Sequence, residues 1–244
     1  MRMTVLGPWG AYPKAGEATA GYLIEHEGHN ILIDCGSGVL AKLQQYKTLD
    51  ELDYVFISHS HYDHIADLGC LQYACLIDMD LGRRSELLPI FMAGEKAEQI
   101  SFKSMSGSEI RRIEAGQRVD CAGLQMTFFK TFHGAYCLGM DIRVNGLKIV
   151  YTADTYYDDS LIQYCADADV LIAETSFYSD IRDARKYGHM NAEEVGLLAR
   201  EAGVRKVVLT HLPHFGKVEQ LAEEVAAIYQ GEIEVAYCGM VIEL

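Results

Sequence analysis

The first part of the chain consists of short apolar runs separated by turns that contain glycine, which is the pattern of β-strands. Strands are predicted at residues 3–6, 21–25, 30–34, 54–57 and 88–92. The run at 54–57 is continuously apolar, as in a strand that is buried on both faces. Helical periodicity predicts helices at about residues 65–78 and 95–103.

The second part begins with alternating apolar and polar positions and then changes period. Residues 117–130, 138–144 and 147–152 predict an antiparallel meander, with Asn145-Gly146 as a tight hairpin turn. Buried strands at 170–173 and 206–210 then alternate with helices near 160–165, 192–202 and 218–229. Mixed sheets with outer helices favour either a four-layer α/β sandwich or a doubly wound sheet, and periodicity leaves both open.

Composition points to a globular protein with an acidic surface. The 244 residues are 50% apolar and 23% charged, and no linker divides them, so a single domain over residues 1–244 is expected. The formal net charge of −14 disfavours bulk binding of nucleic acid, so any phosphate substrate needs a local positive centre. No stretch resembles a signal peptide or a membrane span, which predicts a cytoplasmic protein without a membrane partner.

The cysteines do not form a recognisable framework. They are seven in number and include no CxxC pair, which predicts reduced, mostly buried thiols. Their positions are 35, 70, 75, 121, 137, 165 and 238.

The segment from His59 to His64 concentrates metal-binding side chains. It reads His-Ser-His-Tyr-Asp-His, in a chain with nine histidines in all. In extended backbone His59 and His61 lie on one side and suit one metal ion, whereas the following turn carries Asp63 and His64 towards a second. Imidazole and carboxylate donors together favour zinc, with manganese or iron as the other choices.

This motif resembles the H-x-H-x-D-H signature of the metallo-β-lactamase-fold hydrolases. The remaining metal positions of that family match His133 in Thr-Phe-His-Gly, Asp154 in Tyr-Thr-Ala-Asp, and His211 in Leu-Thr-His. The resemblance implies an αββα sandwich with two divalent ions. It places His59, His61 and His133 on one ion, Asp63, His64 and His211 on the other, and Asp154 between them.

What the resemblance implies chemically is hydrolysis. Two divalent ions near each other generate hydroxide close to neutral pH and leave a net positive charge inside an acidic protein. Asp63 is accordingly expected to be catalytic as well as a ligand.

Two later segments resemble ribonuclease Z and its phosphodiesterase relatives. Residues 169–177 contain Glu174, and residues 188–192 read Gly-His-Met-Asn-Ala, where those relatives have Gly-His-Ser-Thr-Ala. The resemblance implies that His189 protonates the leaving oxygen and that Glu174 orients it. Asn191 and Glu194 have the spacing of a capping box, so His189 is expected just before a helix N-terminus, which favours anions. Arg182, Arg185 and Lys186 are either further phosphate contacts or an ordinary solvated face.

This chain differs from ribonuclease Z in ways that narrow its predicted substrate. Only 21 positions separate His133 from Asp154, which leaves no room for the tRNA-binding arm that ribonuclease Z inserts there. The leading prediction is therefore a dinuclear zinc phosphodiesterase acting on a nucleotide, a cyclic phosphate or an RNA end, with a homodimer implied by the resemblance. Two alternatives are an acyl hydrolase for a thioester or lactone, which would not need His189, and a non-enzymatic ligand sensor.

Overall fold

Two seven-stranded mixed sheets organise the chain in a computed structural model that describes residues 1–96 and 102–243. Each sheet belongs to its own compact unit, the first comprising residues 1–113 with 237–244 and the second residues 114–236. Among the described residues no helix is long and apolar enough to cross a membrane.

The sheet of the first unit contains three antiparallel strand pairs followed by three parallel ones. The strand order is β14-β1-β2-β3-β4-β5-β6, antiparallel as far as β3 and parallel from β3 to β6. The elements, numbered in chain order, are β1 (Arg2–Gly7), β2 (Gly21–His26), β3 (His29–Ile33), α1 (Val39–Leu43), β4 (Tyr54–Ile57), α2 (Tyr62–Ile65), α3 (Leu68–Asp80), β5 (Leu88–Ala93), β6 (Ser108–Ile113) and β14 (Val241–Glu243), with a 3-10 turn at Leu49–Glu51. Apolar side chains of alternate strand positions pack with α1 and α3 in one core cluster, and those of the opposite face, such as Ile24, Ile31 and Phe56, are buried as well.

The second unit also has three antiparallel and three parallel strand pairs. Its order is β13-β12-β11-β10-β9-β8-β7, antiparallel from β7 to β10 and parallel from β10 to β13. The elements are β7 (Arg118–Cys121), β8 (Leu124–Lys130), β9 (Leu138–Val144), β10 (Leu147–Tyr151), α4 (Ile162–Cys165), β11 (Val170–Glu174), α5 (Ala192–Glu201), β12 (Lys206–Thr210), α6 (Val218–Ala226) and β13 (Glu232–Val235), with 3-10 turns at Asp159–Leu161 and Ala184–Tyr187. Helix α5 packs against α6 and β11, and α6 packs against β13.

Most predicted strands occur at or near the expected positions, including the antiparallel meander. Asn145 and Gly146 have φ values of 51° and 82°, the two left-handed conformations of a type I′ turn. The helix predicted from about residue 65 to 78 is confirmed as α3, which begins at Leu68. Ala66 and Asp67 before it have right-handed helical dihedrals, but the N–H of Asp67 donates to the carbonyl of Cys35 and so separates α3 from α2. The helix predicted at 95–103 falls largely on residues 97–101, outside the described residues.

The cysteines follow the prediction. All seven are thiols that are not joined in disulfides, and five of them are buried. Burial raises the pKa of Cys121 and of Cys165 to about 12, so these thiols stay protonated at neutral pH. The expectation of one hydrolase domain over the whole chain stays a prediction.

Candidate metal and catalytic centre

The histidine motif of the first unit begins where β4 ends. His59 follows that strand after Ser58, His61 precedes the first residue of α2, and Asp63 and His64 lie within α2. A ligand atom of His59 and one of His61 lie within 4.8 Å of each other, and Asp63 Oδ2 is 3.8 Å from His64 Nε2. The structure therefore brings these four side chains together as two adjacent pairs.

A buried carboxylate and a serine orient two of these imidazoles. Asp34 Oδ2 accepts hydrogen bonds from His64 Nδ1 at 2.8 Å and from Ser58 Oγ at 2.9 Å. Because the Ser58 proton is directed to Asp34, its oxygen accepts from His59 Nδ1 at 3.1 Å. Both rings thus carry their proton on Nδ1, and Nε2 is the nitrogen left with a lone pair for a metal ion.

Asp63 is held from two sides by backbone. The N–H of Ala11 donates to Asp63 Oδ2 at 2.8 Å. At Gly36 a Cβ atom would lie 2.0 Å from the carbonyl oxygen of Asp63, so only glycine allows the two backbones to approach this closely. The sequence identified Asp63 but not these two supports.

In the second unit, Asp154 lies between two imidazoles. It follows β10 and is 2% exposed, with Oδ2 3.7 Å from His133 Nε2 and 3.4 Å from His211 Nε2. One carboxylate oxygen close to two imidazole nitrogens is a set of donors suited to a metal cation.

His133 is oriented by the loop that precedes α5. Its Nδ1 donates to the carbonyl oxygen of Gly188 at 2.9 Å, which leaves Nε2 on the side of Asp154. Gly188 has φ 79°, and a Cβ atom there would lie 2.8 Å from His133 Nδ1. A glycine is required here both for the left-handed backbone and for the close contact.

Glu174, at the end of β11, accepts the hydrogen bonds that connect it to predicted site residues of this unit. Its carboxylate is 1% exposed; Oε1 accepts from His189 Nδ1 at 2.9 Å and from the N–H of Thr155 at 3.0 Å. Oε2 accepts from Ser176 Oγ at 2.8 Å, and Ser176 Oγ in turn accepts from His211 Nδ1 at 2.8 Å. Glu174 therefore orients His189 directly, as predicted, and His211 through a serine that the sequence analysis did not identify.

The His189 ring lies beside the rings of two predicted metal ligands. Its centroid is 5.1 Å from that of His133 and 5.1 Å from that of His211, to which it is nearly parallel. The side chain of His189 is 17% exposed, so a substrate can reach it.

Backbone strain occurs at several of these strand ends. Asp34, Ala153 and His211 have φ values of 54°, 50° and 52°. Each follows a strand of a parallel part of a sheet, and such conformations cost about 1–3 kcal/mol in non-glycine residues. The strain lies at the residues that carry or adjoin the predicted ligands.

The predicted helix cap before α5 is present. Asn191 Oδ1 accepts from the N–H of Glu194, and Glu194 Oε2 accepts from the N–H of Asn191, both at 2.9 Å. Burial raises the pKa of Glu194, although the hydrogen bond from Asn191 opposes this. His189 consequently lies two residues before a helix N-terminus.

The three basic residues ahead of His189 differ in their contacts. Arg182 pairs with Glu193 at 2.7 Å, whereas the Arg185 guanidinium lies 4.3 Å over the Tyr156 ring. Lys186 is exposed, with Nζ 5.7 Å from the centroid of the Tyr187 ring. Arg182 is therefore occupied by an acidic partner, and Arg185 and Lys186 stay candidates for phosphate.

Comparison with known proteins agrees with this geometry. The family model described as the beta-lactamase superfamily domain matches residues 29–212. The chain is 41% identical over 246 residues to the probable metallo-hydrolase YhfI of Bacillus subtilis, covering 100% of both chains. It is 28% identical over 282 residues to ribonuclease Z of Methanopyrus kandleri, covering 99% of this chain and 97% of the relative.

Solved structures show the same fold. The crystal structure of the metallo-beta-lactamase fold protein YhfI from Bacillus subtilis superposes with a TM-score of 0.96 at 40% identity, covering 100% of this chain and 99% of that one. A diphosphatase from the PhnP family gives a TM-score of 0.79 at 17% identity, covering 100% of this chain and 97% of that chain, which supports the fold alone. The predicted metallo-β-lactamase fold is confirmed, and the chain belongs to the beta-lactamase superfamily as a metal-dependent hydrolase related to ribonuclease Z.

Proposed function

We propose that this protein is a dinuclear zinc phosphodiesterase acting on a small or single-stranded phosphodiester, such as a nucleotide, a cyclic phosphate or an RNA end. The observation that carries the proposal is the pair formed by His189 and the buried Glu174, 2.9 Å apart, beside His133 and His211. A carboxylate-oriented imidazole next to metal ligands suits protonation of a leaving oxygen.

The donor set fits two divalent ions. His59, His64, His133 and His211 each have Nδ1 engaged with a protein acceptor, which leaves Nε2 as the ligand atom. We assign His59, His61 and His133 to one ion, Asp63, His64 and His211 to the other, and Asp154 to both. Imidazole with carboxylate oxygen suits zinc. When bound, such ions supply a nucleophile from water near neutral pH and Lewis-acid stabilisation of the phosphate oxygens.

The chain's own residues then have distinct tasks. His189 donates a proton from Nε2 to the leaving oxygen, because its Nδ1 is committed to Glu174. Glu174 keeps the ring in one orientation and stabilises its protonated form. Asp63, which accepts from the N–H of Ala11, is held in place to act on the attacking water.

An acyl hydrolase is the competing function, and it would not use His189. The test compares turnover of bis(p-nitrophenyl) phosphate with that of a thioester and a lactone, using protein of measured metal content. We expect diester hydrolysis that rises with pH through about pH 7, with weak acyl hydrolysis. Good thioester or lactone turnover without diester cleavage would overturn the proposal, and no turnover with both metals bound would favour a ligand sensor.

The family resemblance also supports a homodimer and a nucleic-acid end as substrate. The relative from Methanopyrus kandleri is a ribonuclease Z. Light scattering is expected to give twice the mass of one chain, whereas the mass of one chain would rule out the dimer.

A further inference from the structure

Three aromatic side chains form a continuous cluster beside His189. The Phe177 ring centroid lies 6.2 Å from His189, 5.5 Å from Tyr187 and 6.2 Å from Phe215. Tyr187 is 57% exposed and Phe215 is 50% exposed, while Phe177, whose ring adjoins both, is partly buried. Single exposed aromatic residues are common, but a group of three adjoining rings beside a candidate catalytic residue is typical of a ligand-binding surface.

The backbone around Phe215 is held in place. The Tyr178 hydroxyl donates to the carbonyl oxygen of Phe215 at 3.0 Å, and the two rings lie 5.8 Å apart. Gly216 has φ 72°, and a Cβ atom there would lie 2.5 Å from the Tyr178 hydroxyl. The exposed ring therefore stands on a fixed support, so binding on it costs little ordering of the loop.

Positive charge adjoins the cluster in a protein whose net charge is −14. Lys186 precedes Tyr187, and its Nζ lies 5.7 Å from that ring. Arg185 is exposed and stacks on Tyr156 at 4.3 Å. Aromatic faces interleaved with cations are the recognition elements of single-stranded nucleic acid and nucleotides.

We propose that Phe177, Tyr187 and Phe215, here termed the aromatic platform, stack the base of the nucleotide whose ribose oxygen is the leaving group. This inference rests on the proposed function, because His189 defines where the leaving oxygen lies. Lys186 and Arg185 attract the nucleotide's phosphates. Stacking accepts any base, so the platform selects nucleotides over base-free phosphodiesters without selecting a sequence.

The first test measures binding alone, on metal-loaded protein, and does not require turnover. Calorimetry with adenosine monophosphate and with ribose 5-phosphate isolates the contribution of the base. We expect the nucleotide to bind about tenfold more tightly, since stacking of one base on an aromatic side chain gives effects of this order. Phe215→Ala is expected to remove most of the difference, and Phe215→Trp to retain it.

A matched control is Tyr73→Ala on α3 of the other unit, which replaces an aromatic side chain that is 62% exposed. It is expected to keep the wild-type preference for the nucleotide. Equal binding of the two ligands by the wild-type protein would overturn the inference, as would an unchanged preference in Phe215→Ala.

The second test uses a dinucleoside monophosphate and its counterpart that lacks the base on the leaving ribose. The platform predicts that kcat/KM falls about tenfold when that base is removed, and that Phe215→Ala shows no such difference. Cleavage of both substrates at the same kcat/KM by the wild-type protein would contradict the platform and leave the phosphodiesterase proposal intact. Failure to cleave any diester, with the base-dependent binding still present, would contradict the phosphodiesterase proposal and the position of the platform at the leaving group, and only the binding of a base by the platform would stand.

Discussion

Substitution of His189 by alanine tests protonation of the leaving group separately from metal binding and from activation of the attacking water. The change removes the imidazole whose Nδ1 donates to Glu174 and whose Nε2 is proposed to protonate the leaving oxygen. Metal content is expected to stay unchanged, because His189 is not one of the proposed ligands.

The contacts of His189 indicate how much stability and how much catalytic rate its removal should cost. The buried Glu174 keeps the Thr155 N–H and the Ser176 hydroxyl as donors, so losing one hydrogen bond to the carboxylate is expected to cost stability at the low end of about 1.5–3 kcal/mol. General acid catalysis is worth about 10²- to 10⁴-fold, or about 2.7–5.5 kcal/mol of barrier, when the leaving group is a poor one. A ribose hydroxyl is such a group, whereas nitrophenolate leaves without much help.

The assay compares kcat/KM for a dinucleoside monophosphate and for bis(p-nitrophenyl) phosphate, with metal analysis and thermal unfolding of each variant. His189→Ala is expected to lose about 10²-fold or more on the nucleotide and less than about tenfold on the aryl diester. The control is His29→Ala, a partly buried histidine of β3 in the other unit, which is expected to leave both rates within about twofold. Equal losses on both substrates, or loss of metal from His189→Ala, would refute general acid catalysis and mark the residue as a ligand or a structural support.

Substitutions at three further positions test the metal centre. Asp154→Ala is expected to lose at least one equivalent of metal and nearly all hydrolysis, because two imidazoles flank the Oδ2 atom that is removed. Full metal occupancy by elemental analysis together with a wild-type rate would disprove the assignment of Asp154 as a metal ligand. Gly188→Ala is expected to lower the free energy of unfolding by about 1–2 kcal/mol, because φ is 79° at this position. It is also expected to lower metal affinity about 10- to 100-fold, because the new Cβ would crowd His133. Wild-type values in thermal unfolding and in chelator competition would contradict this. Ser176→Ala is expected to weaken metal binding about tenfold, because His211 loses its hydrogen-bond acceptor, while the dependence of the rate on the leaving group persists. Ser176→Thr is expected to restore metal binding. Equal metal affinity in the wild-type protein and both variants would show that Ser176 does not position His211.

Local sequence was sufficient for features whose partners are near in the chain. The Asn145-Gly146 turn requires two adjacent left-handed residues, and the cap of α5 joins Asn191 to Glu194 three positions later. Strands of strongly apolar residues, such as β4, were likewise predicted at their observed bounds. The motif from His59 to His64 carried the family resemblance because its six residues contain four donors.

Strands whose side chains carry a weak signal were missed. β6 has the sequence Ser-Glu-Ile-Arg-Arg-Ile and β13 has Glu-Ile-Glu-Val, and both lie at the edge of a sheet. Their hydrogen bonds come from β5 and β12, which are distant in the chain, so the pairing rather than side-chain periodicity makes them strands.

The orientation of each imidazole was decided only by tertiary structure. Ser58 directly precedes His59, and Ser176 follows Glu174 by two positions, but each serine becomes an acceptor for a histidine only because its proton is directed to a buried carboxylate. Gly188 meets His133 across 55 positions of the chain. Sequence thus determined which groups are available for chemistry, whereas the tautomer and direction of each ring depend on hydrogen bonds between residues that only folding brings within about 3 Å.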